Sequence, residues 1–274
     1  MRLLLPGILV HHAIRKVTHQ MAYSYSSLST YNRCPKLYEY TYEGAVRPDD
    51  PGGVPTRFGQ HMVDTPLTEW YRSGGTYRPP WDDLWDACAV TDDERVAKPN
   101  KVYTIATAKS LWQEYTSRFA RDFDVYEVIN VQTFVVPRPD LLDYGAKADV
   151  VFRHKETGAV IPHDFKSSRW DFILEAGYLN QQFLGQMWVW GATEHITTLL
   201  NPESGLVERM LTRITVDQLA QFERETMFRI ASVKRSKYWG IWPREAPGAC
   251  FKFGRWCVFQ GVCYGVGSDE VRTS

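Results

Sequence analysis

The chain lacks an apolar run approaching the roughly 18 residues that a bilayer-crossing helix requires, so a membrane-spanning role is not expected. It also lacks an excess of either charge. Lys+Arg and Asp+Glu both number 32, so no overall positive field draws it to a polyanion, and any nucleic-acid contact must come from a local patch. No Gly-x-x-x-x-Gly-Lys-Ser/Thr segment is present to cradle a nucleoside triphosphate, which excludes a reaction that this chain drives by ATP through a P-loop. Cysteine is sparse, at five residues, and no Cys-x-x-Cys pair occurs to build a zinc ribbon. The apolar start, Met1 to Val10, is broken by Pro6-Gly7 and followed by His11-His12 without a small-residue cleavage site, unlike a secretory leader. A cytoplasmic protein is the expectation.

The 274 residues, 44% of them hydrophobic, suffice for a sizeable core. Aromatics reach 14%, with ten tryptophans; most belong in the core, and some can stack on unpaired bases. The recognisable pattern begins at Met21. Residues 1–20 are therefore expected to be an extension, 21–266 one domain, and 267–274 a tail.

The most informative stretch runs from Lys147 to Ser168. Two runs rich in β-branched and aromatic residues flank Lys155-Glu156-Thr157-Gly158, the signature of a hairpin. With that turn His154 faces Ala159, and Asp149 falls directly across from Asp164. Lys166, two residues on, shares their face because side chains alternate along a strand. Facing like charges destabilise a sheet unless compensated, and a divalent cation can do this. Mg²⁺ or Mn²⁺ on two carboxylates can activate water and neutralise a phosphate while a lysine orients the attack, which is phosphodiesterase chemistry. Spacing alone fits equally well a solvated hairpin face on which Asp149 and Lys166 form an ordinary pair, with Pro162 marking a bulge or an edge.

Elsewhere, Ser24 to Thr30 supplies helix-capping hydroxyls before a helix carrying Tyr31, Cys34 and Tyr38. Arg47 to Pro55 predicts a loop, and Phe58-Gly59-Gln60-His61 leads into an amphipathic helix through Leu67, Trp70 and Tyr71. Thr107 to Phe123 has helical spacing, and Val125 to Val136 alternates as a strand. Ala176 to His195 predicts a buried helix on which Tyr178, Gln182 and Gln186 share a face, and amides there need polar partners. A metal site with phosphate oxygens would supply them, as would ordinary neighbours. Leu206 to Thr215 predicts a strand and Val216 to Tyr238 a long helix. Its basic end, with Lys234, Arg235 and Lys237 beside Tyr238 and Trp239, is a candidate contact to a nucleic-acid backbone or simply a charged helix terminus.

Asp149 followed by Asp164-Phe165-Lys166 across a hairpin resembles the PD-(D/E)xK nuclease superfamily, in particular its RecB-like branch. Ser26 to Pro35 is similar to that branch's N-terminal signature, and the order of motifs through Cys263 carries the resemblance over nearly the whole chain. It implies an α/β, restriction-endonuclease-like core with a mixed central sheet flanked by helices. Asp149, Asp164 and the Phe165 carbonyl would bind Mg²⁺ or Mn²⁺, and Lys166 would position water. Gln182 matches the glutamine of the family's Gln-x-x-x-Tyr motif, where Gln186 stands in place of the tyrosine. Where relatives carry Gly-x-x-x-His, Val63 occupies the expected place; His61 comes two residues early and is a tentative ligand, with Asp64 a weaker substitute. The family's strand glutamate has two candidate matches, Glu127 and Gln132.

Cys250, Cys257 and Cys263 lie within fourteen residues, and Cys34 makes a fourth. Clustered thiols in a reducing compartment favour a metal or iron-sulfur centre over disulfides. The resemblance implies a structural 4Fe-4S staple of the AddB type joining the chain ends, with Zn²⁺ as the alternative. The function implied is a DNA exonuclease acting on ends or single strands, with a helicase or recombination partner. A catalytically silent DNA-binding or assembly subunit and a metal-stapled structural protein are the alternatives.

Overall fold

A computed structural model describes residues 22–43, 54–88, 102–137, 142–168 and 180–245, and near the end 250–252, 255–257, 259 and 263. The expected extension at 1–20, the tail at 267–274, residues 47–53 of the loop predicted over Arg47 to Pro55, and Tyr178 lie outside the described residues, and Val54 and Pro55 at the end of that predicted loop are helical instead.

The helices are α1 (Tyr25–Arg33), α2 (Pro35–Tyr38), α3 (Val54–Arg57), α4 (Thr65–Arg72), α5 (Trp81–Cys88), α6 (Ile105–Arg118), α7 (Asp122–Val125), α8 (Gln181–Trp190) and α9 (Val216–Trp239). Two π-helical segments, Glu39–Glu43 and Phe58–Asp64, join this set. The strands β1 (Tyr126–Val131), β2 (Val150–His154), β3 (Val160–Ser167), β4 (Glu194–Leu200) and β5 (Val207–Arg213) form one sheet in the order β1-β2-β3-β4-β5. All neighbours are antiparallel except β3 and β4, which are parallel and connected through α8. The expected mixed α/β sheet flanked by helices is therefore present. A two-stranded ribbon, β6 (Phe251–Lys252) and β7 (Arg255–Trp256), lies near the end of the chain.

Local chemistry explains the boundaries. Ser24 caps α1 through a reciprocal bond with Ser27. The helix predicted to run past Cys34 instead breaks there: Cys34 is extended (φ −165°, ψ 112°) because the residue before a proline is pushed out of the helical region, and α2 begins at Pro35. Gly191, at φ 62°, ends α8 as a left-handed cap. This corrects the predicted helix through His195, since Glu194 opens β4 instead.

Alternation along β2, β3 and β4 sends two sets of side chains to two cores. Val150, Phe152, Ile161, Phe165, Ile196 and Leu200 pack beneath α4, α5 and α6, with Leu67, Tyr71 and Leu111. The opposite face meets α8 and, through it, α1 and α9, where Phe183, Met187, Leu28 and Val233 are buried. Pro162 pairs with Val151 inside the central strand, contrary to the expected edge or bulge. It is tolerated because pairing with β4 begins only at His163↔Ile196.

One buried ion pair crosses the first core. Arg209 on β5 grips Asp122 through two nitrogens, each at 2.8 Å, and also donates to the Tyr115 hydroxyl at 2.8 Å. Its guanidinium lies 3.6 Å from the centre of the Phe119 ring, and Tyr71 donates to Asp122. Removing one partner of such a pair strands the other charge. Arg209→Ala is expected to cost about 3–5 kcal/mol in chemical denaturation, with Asp122→Ala/Arg209→Ala costing less than the two single losses added; additive losses would refute the coupling.

Candidate active site

The β2–β3 ladder has the register anticipated from the turn: Val150 faces His163 and Arg153 faces Val160. Asp149 immediately precedes the last paired residue of β2. With the ladder over, the Phe165 amide is free of β2 and donates instead to Asp149 Oδ2 at 2.8 Å. Asp164, 3% exposed, points to the α8 face, where Lys166 forms an ion pair with it. Gln182, in the first turn of α8, accepts from Lys166 Nζ at 3.2 Å and donates to Asp164 Oδ1 at 3.3 Å. Asp149, Asp164, Lys166 and Gln182 therefore meet at the C-terminal end of β3.

Two further residues join them. Gln186, one turn along α8 and fully buried, donates to Asp164 Oδ1 at 3.0 Å and to the Lys147 carbonyl at 2.9 Å. Asp64 ends the π-helical segment that crosses the end of β3, where a Cβ at Gly59 would lie 3.2 Å from Ser167 Cβ; the bare glycine permits that close approach. One Asp64 oxygen, Oδ1, is buried without a hydrogen-bond partner. His61, on the same segment and only partly buried, is not among the leading charges acting on Asp64 or Asp149.

The carboxylates perturb one another. Burial, then the charge of Asp164, pushes Asp149 up to about 7, against the opposing pull of the Phe165 amide, Lys166 and Lys147. Burial, then Asp149 and Asp164, also raises Asp64 well above the usual carboxylate range. Burial works to lower Lys166, but Asp164, Asp149 and Asp64 outweigh it and hold the ammonium above its ordinary value. Three carboxylates face Lys166 and the exposed Lys147, so full ionisation leaves an excess of negative charge. Hard oxygen ligands with that excess and an orphaned carboxylate oxygen fit Mg²⁺ or Mn²⁺. Among the described residues no three Asp, Glu, His or Cys side chains are yet drawn to a common point as metal ligands.

The strand glutamate candidates separate. Glu127 pairs with Arg153 at 3.0 Å on the exposed side of β1–β2. Gln132, at φ 51°, donates its backbone N–H to the Asp149 carbonyl at 3.1 Å. His195 on β4 was not anticipated as a neighbour of the site; its Nε2 lies 2.6 Å from Gln186 Oε1. Glu194 to Leu200 is buried along nearly its whole length and does not alternate, so its β-branched Ile196, Thr197 and Thr198 were the available signal, obscured by the apolar helix just before it.

Cys34, Cys250 and Cys263 are buried and Cys257 is partly so. Burial raises the Cys257 and Cys263 thiols, and the charges of Cys34 and Cys250 add to the rise in each. The expected four-cysteine cluster is not shown: among the described residues these cysteines form no metal-binding group. Lys234 and Arg235 are exposed near the end of α9, whereas Lys237 is paired with Glu43 at 2.7 Å. Tyr238 and Trp239 beside them are 81% and 65% exposed. Among the described residues no helix is long and apolar enough to cross a membrane.

No family model and no curated protein matches the sequence. Solved structures similar to this chain include a protein from Eubacterium rectale named provisionally as an exonuclease, at TM-score 0.48 and 12% identity over 82% of this chain and 84% of that one. The alkaline exonuclease LHK-Exo from Laribacter hongkongensis matches at TM-score 0.35 and 13% identity, covering 68% of this chain and 90% of that one. The same exonuclease in complex with dAMP matches at TM-score 0.36 and 12% identity, covering 68% of this chain and 93% of that one.

Proposed function

We propose that this chain is a divalent-metal-dependent DNA nuclease of the RecB-like PD-(D/E)xK type, an exonuclease acting on ends or single strands in the cytoplasm alongside a helicase or recombination partner. The observation that carries the reading is the meeting of Asp149, Asp164, Lys166 and Gln182 at the end of β3, joined by the orphaned carboxylate of Asp64. Asp149, Asp164, Asp64 and the Phe165 carbonyl would hold Mg²⁺ or Mn²⁺, which when bound activates water and offsets phosphate charge. Lys166 orients the attacking water and stabilises charge developing on the phosphate. Gln182 keeps Lys166 and Asp164 in register. Lys234 and Arg235 contact the backbone of the strand, with Tyr238 and Trp239 able to stack on unpaired bases; Lys237 contributes less because Glu43 neutralises it.

Cys34, Cys250, Cys257 and Cys263 would hold a structural 4Fe-4S cluster, with Zn²⁺ as the alternative. Support comes from the donor type: the Cys257 and Cys263 thiols are raised by burial, with Cys34 and Cys250 adding to it, and gain from a cation that holds them as thiolates.

With end-labelled single- and double-stranded DNA and Mg²⁺ or Mn²⁺, the parent is expected to cleave. Lys166→Ala should lower the rate by about 10²–10³-fold, Asp149→Asn and Asp64→Asn should abolish metal-dependent turnover, and a chelator should stop the reaction. A folded parent that binds DNA without cutting it would instead make the chain an assembly subunit.

Because Asp149 and Asp64 must both lose their protons to bind a cation, apparent Mn²⁺ affinity should rise by at least about tenfold per pH unit as pH climbs toward 7. Calorimetry in buffers of different ionisation enthalpy reads the released proton directly, and a pH-independent affinity would contradict the assignment.

An anaerobic preparation is expected to be brown, with iron and sulfide in stoichiometric amounts. Colourless protein with one zinc would replace the cluster by Zn²⁺, and Cys257→Ser should release whichever is bound.

A further inference from the structure

Gln186 is the only route by which β4 reaches the carboxylates among the hydrogen bonds of the described residues, and the proton on every member of that route is determined. Both bonds made by Gln186 Nε2 go to oxygens that only accept, Asp164 Oδ1 and the Lys147 carbonyl. Nε2 is therefore the nitrogen, and the other amide atom is an oxygen. That oxygen, 2.6 Å from His195 Nε2, can only accept, so His195 carries its proton on Nε2. Nδ1 is then a lone pair, and it takes the hydroxyl proton of Thr197 at 3.2 Å. Phe183 stacks on the imidazole with ring centres 4.4 Å apart and an interplanar angle of 20°, which holds the plane of the ring, while the bonds to Gln186 and Thr197 set which edge faces each. Gln186 and His195 are both fully buried, so water does not substitute for any of these partners.

The two acceptors of Gln186 belong to different segments. One is Asp164 itself, and the other lies two residues before Asp149. We propose that His195, fixed by Thr197 and Phe183, is a positioning residue that locks the Gln186 amide and so sets the spacing of Asp149 and Asp164 for a divalent cation. The inference rests on the metal-dependent reading above and adds to it a pair of residues outside the ligand set. An unlocked amide can flip, presenting oxygen to Asp164 and to the Lys147 carbonyl, where it repels both.

The test measures Mn²⁺ affinity by calorimetry on the full chain, apart from any cleavage assay. His195→Phe keeps a flat ring against Phe183 but leaves Gln186 Oε1 without a donor, and should weaken Mn²⁺ binding by about 10–100-fold. His195→Gln returns an N–H to the same place and should recover most of that loss. Gln186→Leu should weaken binding at least as much, and adding His195→Phe to it should change little, since the histidine acts through the glutamine. Thr197→Val, close in shape, covers the case in which His195→Phe does not fold: it takes the donor from Nδ1 while Gln186 Oε1 still holds the Nε2 proton, is read as a shift of the His195 Nδ1 ¹⁵N resonance, and should lower affinity severalfold. Unchanged affinity in folded His195→Phe or Thr197→Val, or additive losses in the double variant, would overturn the proposal alone. A parent that binds no Mn²⁺ would overturn the nuclease reading and this inference with it.

Discussion

The antiparallel ladder between β2 and β3 stops at Val150↔His163, and the geometry of the candidate site depends on that stop. Had pairing continued, the Phe165 amide could have been spent on β2 backbone, and Asp149 would have had no donor to hold it beside Asp164. Instead the amide takes the carboxylate, and the side-chain alternation of β3 sends Asp164 and Lys166 to the α8 face while Phe165 anchors the other core. The parallel pairing of β3 with β4 then places His195 on the same face as Asp164, behind α8. A single break in a ladder thus gathers residues from β2, β3, α8 and, at one remove, β4.

Much of this was legible because it is local. The Asp149–Asp164 facing follows from a four-residue turn and a period of two, and neither requires knowledge of the rest of the chain. The long helix α9 matches the expected helix over Val216 to Tyr238, and the structure adds that Thr215 caps it with Gln218. The strand β4 was not: only Gly191, Ala192 and Thr193 separate Glu194 to Leu200 from an apolar helix, and no periodicity reveals the positive φ of Gly191 that ends it. Asp64 was only half legible. Its distance along the chain from Asp149 is closed by tertiary packing, and the π-helical winding of Phe58–Asp64 changes which residue of that segment faces the site.

The Arg209–Asp122 pair was invisible for the same reason, since its members are 87 residues apart and no pattern links them. It also clarifies the candidate site by contrast. Both faces of the sheet bury carboxylates near tyrosines, amides or histidines. On one face a guanidinium closes Asp122 from two sides and an aromatic ring covers the cation, which leaves nothing for a ligand to bind.

On the other face the partners of Asp164 are chiefly neutral. Gln182 and Gln186 give it hydrogen bonds without charge, and His195 behind them is held uncharged, burial driving it down to about 3. Lys166 is the sole cation in contact with Asp164 among the described residues, and it is shared with Gln182. A second buried cation there would satisfy the carboxylates as Arg209 satisfies Asp122 and would remove the attraction for a metal ion. Neutral donors orient the oxygens yet leave the negative charge of Asp64, Asp149 and Asp164 incompletely balanced, and this adds to burial, the larger cause, in holding the protons on Asp64 and Asp149. Under the proposed reading, the same deficit that helps to raise those carboxyls would favour a divalent cation over a proton, and the imbalance is confined to the end of one strand in a chain whose acidic and basic residues are otherwise equal in number.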